Sequence, residues 1–258
     1  SSHNGEAIHA DTAARLLAKV GLNEAALQCG NHAPYWYKWN NGTPEPGKRW
    51  SSLFHNCSGK HSGMLLHAKL LAAESATYLE PSHPVQLRIR DAVAYACGEA
   101  DPAKMAWGTD GCSAPNYAVS LRGLARAFAW LTNAEADAQY GGAPKILFDA
   151  MSQHPEMVSG EGRNDLALAK AGRGDWANKV GADGVQTLAS RSRGIGIAAK
   201  VSDGNIKALM VSFCSVLEQL GMLDDAARVA LADWAGVSIK SVRGIEVGEL
   251  RPHVLLRR

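Results

Sequence analysis

The spacing of apolar positions divides the chain into a helical first part and a mixed second part. Residues 10–21 read as a helix, with Asp11 and Thr12 as cap candidates and Leu16, Leu17 and Val20 on its apolar side. Residues 82–97 read as another, with Ser82 as cap, Pro84 in the first turn, and Val85, Ile89, Val93 and Ala96 at helical spacing. Residues 117–131 turn Val119, Leu124, Phe128 and Leu131 inward, and a further helix is expected over 144–151. After Gly174 the period shortens: 176–182, 184–190 and 194–201 read as three strands, followed by a tight turn at 202–205. Residues 206–220 then form the clearest amphipathic stripe, with Ile206, Leu209, Met210, Phe213, Leu217 and Leu220 on one face. Residues 224–235 read as helical and 237–256 as extended, while 31–52, rich in Pro, Gly, Asn, Trp and Tyr, reads as a loop. Helices first, then strands and helices, predict an α+β fold. One domain is expected over 1–258, mainly helical to residue 174, then a sheet with C-terminal helices.

Composition narrows the function classes. With 258 residues and 46% hydrophobic content the chain can bury one sizeable core. A formal charge of +2 without a basic block excludes a nucleic-acid footprint. No apolar run approaches the ~20 residues that span a bilayer. The five cysteines, Cys29, Cys57, Cys97, Cys112 and Cys214, are odd in number and widely spread, which predicts free thiols and a reducing, cytoplasmic setting. The small and polar opening, Ser2-His3-Asn4-Gly5-Glu6, predicts that a segment precedes it in the full protein.

The chemistry concentrates in two sets of residues. Cys57-Ser58-Gly59-Lys60-His61 leads into the apolar run Met64-Leu65-Leu66, as a loop feeds a buried helix. The turn Asp110-Gly111-Cys112 offers a second thiol beside an acid. Two thiolates suit Zn²⁺, and Lys60 is a candidate third ligand, an uncommon one because its amine must first lose a proton. The plain alternative is a core cysteine beside a surface lysine, with no metal. The second set pairs Ser2-x-Asn4 with Lys179-x-Gly181, a hydroxyl and an amine suited to acyl transfer. Gly59-Lys60-His61-Ser62 only partly imitates a phosphate loop, since Phe54 stands where its first glycine belongs. His55, His61 and His67 recur every six residues and so face different helix sides; Cys29, Cys97 and Cys214 read as inert core thiols in helices, and Arg191 and Arg193 as a solvated turn.

Taken together, Ser2-His3-Asn4-Gly5-Glu6, His55-Asn56-Cys57-Ser58-Gly59-Lys60-His61-Ser62-Gly63, Asp110-Gly111-Cys112-Ser113-Ala114-Pro115 and Lys179-Val180-Gly181-Ala182-Asp183-Gly184-Val185 resemble the bacterial asparaginase II family of Rhizobium etli type. The resemblance implies hydrolysis of L-asparagine to L-aspartate and ammonia on a serine β-lactamase-like fold, in a homodimer. It implies a zinc ion held by Cys57, Lys60 and Cys112, with Asp110 beside it, and a catalytic pair of Ser2 and Lys179. Asp110, His61 and Asn4 are then the expected substrate-binding residues. The Ser-x-x-Lys element of the family has no counterpart in these residues, so the attacking serine is expected either in a preceding segment, with Ser2 and Lys179 assisting proton transfer, or, without that segment, to be Ser2 activated by Lys179. A glutaminase-like amidohydrolase of the same fold, or a catalytically silent zinc- and asparagine-binding protein, remain the alternatives at this point.

Overall fold

The computed structural model describes residues 2–133 and 135–257. In chain order the elements are α1 (Ala7–Ala18), α2 (Tyr35–Trp39), α3 (Ser58–Leu70), α4 (Pro84–Cys97), β1 (Trp107–Thr109), β2 (Pro115–Tyr117), α5 (Leu121–Leu131), α6 (Ala143–Gln153), α7 (Pro155–Val158), α8 (Asn164–Gly172), β3 (Trp176–Gly181), β4 (Val185–Ser190), β5 (Ile195–Lys200), α9 (Ile206–Gln219), α10 (Asp225–Ala230), α11 (Ala232–Ala235), β6 (Val237–Lys240) and β7 (Glu246–Leu250). The mixture of helices and small antiparallel sheets is α+β. The chain divides into two compact units: residues up to 123 together with 156–163, and residues 124–155 together with 164 onward.

In the first unit α1 packs on α3 and α3 on α4. Leu17, Leu65, Tyr78 and Val85 are wholly buried at its centre, with Met64, Leu27 and Cys112 alongside. Each fully buried Leu or Val side chain contributes roughly 1.5–3 kcal/mol relative to exposure. The helix α1 starts at Ala7, not at residue 10. Its N-cap is Glu6, in a capping box with His9, rather than Asp11 or Thr12. Similarly, His83 caps α4 by accepting from Val85 N at 3.2 Å, where Ser82 was the expected cap. The turn expected over 107–116 is a hairpin, with Trp107 opposite Tyr117 and Thr109 opposite Pro115. Within the expected loop, residues 35–39 form α2, a single helical turn.

In the second unit β3, β4 and β5 form one antiparallel sheet in sequential order, with Lys179 opposite Thr187. Helix α9 lays Met210, Phe213 and Leu217 against it, and Leu209 of the same stripe is buried as well. Gly196 on β5 is there because a Cβ would stand 2.0 Å from the Ala125 carbonyl oxygen, so α5 crosses the sheet too closely for any side chain. The predicted 224–235 helix breaks at Leu231 into α10 and α11. The extended tail pairs with itself as the β6–β7 hairpin, bulged at Ile239/Lys240. Helix α5 begins at Leu121 because residues 115–117 belong to β2.

The spare cysteines are free and buried, and burial pushes Cys29 up to about 11 and Cys214 up to about 12. Cys29 lies outside any helix. The Arg191–Arg193 turn is tied down rather than merely solvated. Arg191 pairs with Asp149 at 2.6 Å and lies over the Phe148 ring, and Arg193 donates to the carbonyls of Leu220 and Gly221. No helix of the described residues is long and apolar enough to cross a membrane.

Candidate active site

The segment from Ser2 to Glu6 is pinned residue by residue. His3 N donates to Asn56 O, and Asn4 N donates to Ser159 O, so the strand-like stretch is held between two other segments of the first unit. Ser2 Oγ accepts from Asn56 Nδ2 at 2.8 Å, and Ser2 O accepts from Arg163 Nη1 at 2.7 Å. His3 Nδ1 accepts from Gly5 N at 3.1 Å, so a neutral ring carries its proton on Nε2, which faces Ser58 Oγ at 3.1 Å. Gly5 has φ +70, and a Cβ on it would meet Phe54 O at 2.1 Å; only glycine fits this turn. Glu6 accepts from Glu161 N at 3.1 Å. Asn4 is fully buried and donates to Glu161 O at 2.8 Å, so its amide stitches the opening segment to residues 159–161.

Cys57 is the N-cap residue of α3, which sets its thiol at the positive end of that helix. Its backbone N–H donates to His55 Nδ1 at 3.0 Å. One turn on, Lys60 Nζ donates to Asp110 Oδ2 at 2.6 Å. The other oxygen of Asp110 accepts from Cys112 N, Cys112 Sγ and Ala114 N, each at 3.0 Å. The β1–β2 turn is therefore wound around this carboxylate, and Asp110 bridges Lys60 to the Cys112 thiol. Cys112 shares a hydrogen bond with Cys57, which draws Cys57 down to about 7 against the opposing effect of burial. Cys112 moves up, chiefly because of that same bond and burial. Burial acts to lower Lys60, yet its bonds to Asp110 and Cys112 leave it raised. Asp110, despite burial acting to raise it, falls to about 2 through Lys60 and the Cys112 and Ala114 donors. His61 is wholly buried, bonds Tyr78 OH at 2.5 Å, and bears on the Cys112 thiol in the sense that favours thiolate.

Cys57, Lys60, Asp110 and Cys112 thus converge in the first unit. Among the described residues no three His, Cys, Asp or Glu side chains surround one metal position. Lys60 could join the two thiols as a donor only after its amine loses the proton it donates to Asp110. Two sulfurs and a nitrogen, backed by a carboxylate, are the donor types zinc accepts.

Lys179 belongs to the second unit. Its Nζ donates to Val180 O at 2.6 Å and stands 3.6 Å from Asp165 Oδ2. Asp165 is almost wholly buried and accepts from Val180 N at 3.0 Å and from Asn178 Nδ2 and Gln186 Nε2 at 3.1 Å. Asn164 Nδ2 donates to Gln186 Oε1 at 2.7 Å. The sequence marks none of Asn164, Asp165, Asn178 or Gln186 as special. Only the adjacency of Asn178 to Lys179, and a polar pair opening α8, hint at the network.

A family model for L-asparaginase II matches residues 1–252. The chain belongs to the L-asparaginase II family. A search of curated proteins returns no match. Membership supports an asparaginase-type amidohydrolase function in general terms, acting on a small-molecule substrate.

Proposed function

We propose that the protein is an L-asparaginase that hydrolyses L-asparagine to L-aspartate and ammonia through serine–lysine acyl transfer beside a zinc ion. The observation that carries the reading is the Cys57–Lys60–Asp110–Cys112 cluster, found inside a chain that matches the L-asparaginase II family over nearly its whole length. Cys57, Lys60 and Cys112 are the zinc ligands in this reading, and the ion supplies Lewis acidity for holding the polar α-groups of the substrate. Asp110 keeps Lys60 and Cys112 in place and presents its carboxylate to the substrate's ammonium.

Ser2 and Lys179 are the acyl-transfer pair, a pairing taken from the family resemblance. A serine hydroxyl attacks the side-chain amide carbon, the C–N bond breaks, and the departing nitrogen takes up a proton to leave as ammonia. Water then releases aspartate from the ester. Lys179, held beside Asp165, is the group that takes the serine proton and passes it to the departing nitrogen. His61, behind Cys112, supports the thiolate, and Asn4 holds the Ser2 segment. The β-lactamase-like fold and the homodimer belong to the same reading.

The test is ammonia release from L-asparagine, L-glutamine and a β-lactam by the zinc-loaded full-length protein, with asparagine binding measured by calorimetry. Turnover of asparagine well above glutamine is expected. Preference for glutamine would make it a glutaminase, and binding without turnover would make it a silent zinc- and asparagine-binding protein. Light scattering reads the dimer in the same sample.

A further inference from the structure

A buried phenol touches His61, and no part of the functional reading above uses it. Tyr78 lies in the chain between α3 and α4 and is wholly buried. Its hydroxyl has two hydrogen-bond partners among the described residues: it accepts from Gln28 N at 2.9 Å and meets His61 Nδ1 at 2.5 Å. The phenol ring stands edge-on to the imidazole, with centroids 5.6 Å apart and planes at 89°. Gln86 Nε2 donates to the Tyr78 carbonyl at 2.8 Å, and His61 N donates to Cys57 O at 3.0 Å, so both residues are fixed from the backbone. The other ring nitrogen of His61, Nε2, is buried and has no hydrogen-bond partner among the described residues. The thiol that His61 bears on is that of Cys112.

The number of protons decides which way the phenol and the imidazole are bonded. A backbone N–H only donates, so the Tyr78 oxygen accepts from Gln28. Burial pushes the phenol up, so the hydroxyl keeps its proton. Were His61 to donate from Nδ1, the oxygen would accept twice and the phenol proton would point at no acceptor, a loss of about 1–3 kcal/mol for a buried polar group. Tyr78 therefore donates to Nδ1, and the ring proton of His61 sits on Nε2. A protonated Nε2 offers no lone pair, so His61 is not a further metal ligand but a donor. In this structure the Cys112 sulfur is a thiol that donates to Asp110 Oδ1 at 3.0 Å. As a zinc ligand the same sulfur has lost its proton, carries charge, and accepts the N–H that otherwise lacks a partner.

We propose that Tyr78 is a positioning residue for the metal site: it holds His61 in the tautomer whose Nε2–H donates to the Cys112 thiolate, and so strengthens zinc binding. The inference rests on the zinc reading above and adds to it the group that sets the histidine. Tyr78 acts through His61 and touches neither the ion nor the substrate, so its removal is read in metal affinity and in the electronic state of the bound sulfur.

The experiment titrates Zn²⁺ into the zinc-free full-length protein against a chromogenic chelator, for the wild type, Tyr78→Phe, His61→Leu, His61→Gln and the Tyr78→Phe/His61→Leu double variant. The melting temperature of each accompanies it, and Co²⁺-loaded samples are read for the sulfur-to-cobalt charge-transfer band. His61→Leu is expected to weaken Zn²⁺ binding roughly tenfold to a hundredfold, and Tyr78→Phe roughly threefold to tenfold. In both, the band is expected to move to longer wavelength, because a thiolate without its hydrogen bond gives up an electron more readily. A loss of packing alone lowers occupancy and leaves the band where it is. His61→Gln offers an amide oxygen to Tyr78 and an amide N–H to the sulfur, and is expected to bind Zn²⁺ within about threefold of the wild type. The double variant is expected to be no worse than His61→Leu alone, since Tyr78 acts through His61. Wild-type affinity and an unmoved band in Tyr78→Phe would overturn the proposal, as would losses that multiply in the double variant or a His61→Gln as impaired as His61→Leu. A wild-type protein that binds neither ion would overturn the zinc reading and this inference with it, whereas a loaded wild type beside an indifferent Tyr78→Phe removes only the role of Tyr78.

Discussion

Lys60 faces Asp110 at 2.6 Å and Lys179 faces Asp165 at 3.6 Å, and the company each of these two pairs keeps is different. Both carboxylates also accept backbone N–H groups, so each is built into a turn or strand rather than added to a surface. Around Asp110 the remaining groups are thiols. Around Asp165 they are the amides of Asn178 and Gln186. Sulfur and amine together offer soft and borderline donors, which suit a metal. Amides offer only hydrogen bonds, which hold a carboxylate still and keep an ammonium beside it. An acid–lysine pair alone therefore says little about function; its neighbours decide whether it is a ligand set or a fixed proton-handling group.

The largest expected effect bears on the thiol side of that comparison. Metal analysis of the purified protein is expected to find about one zinc per chain, and none in Cys57→Ser/Cys112→Ser. A wild-type protein that refuses zinc would make the two pairs alike in kind. Next is the amide side. Asp165→Ala takes an acceptor from Val180 N, Asn178 Nδ2, Gln186 Nε2 and Lys179, of which the last three keep the carbonyls of residue 165, Thr187 and Val180, and is expected to cost about 1–3 kcal/mol in urea unfolding. A loss below about 1 kcal/mol would show that these groups find other partners and that Asp165 fixes nothing.

A smaller effect separates the units by pH. Burial, with help from the neighbouring His9 and Arg163 charges, lowers His3 to about 2, and burial likewise lowers His9. Groups that protonate more readily unfolded than folded stabilise the protein fully above the unfolded value near 6.5. That stability is lost as pH falls from there toward the folded value. His3 alone accounts for about 2 kcal/mol of loss between pH 7.5 and 5. Urea titrations at the two pH values check this, and His3→Gln should flatten the dependence. The smallest effect is Lys60→Met in zinc-free protein. The ion pair is partly exposed, with side chains 31% and 24% accessible, so about 1 kcal/mol or less is expected. A larger loss would mean that Lys60 is needed for folding before any metal arrives.

Much of this architecture is readable from the chain because its cues are local. The stripe on α9 and the three strands from Trp176 to Lys200 follow directly from apolar spacing. Helix starts were displaced where a histidine, outside the usual capping residues, made the local capping bond: His9 accepts from Glu6 N at 3.0 Å, and His83 caps α4. The 107–117 hairpin was hidden because each strand has only three residues, too few to alternate visibly. In the site, cysteine and lysine advertise themselves by chemistry, so Cys57, Lys60 and Cys112 stand out without any structure. Asn56, Tyr78, Asp165 and Gln186 do not, since Asn, Tyr, Asp and Gln are common and their roles come from partners 13 to 54 residues away. The serine–lysine pairing rests on two short motifs, Ser2-x-Asn4 and Lys179-x-Gly181, each weak alone, together with the family resemblance.

The most direct measurement is ammonia release from L-asparagine by the zinc-loaded wild-type protein and by Ser2→Ala, with zinc content and melting temperature matched. The account predicts turnover in the wild type and a fall of roughly a thousandfold in Ser2→Ala. Equal turnover in the two, or none in the wild type, would contradict it.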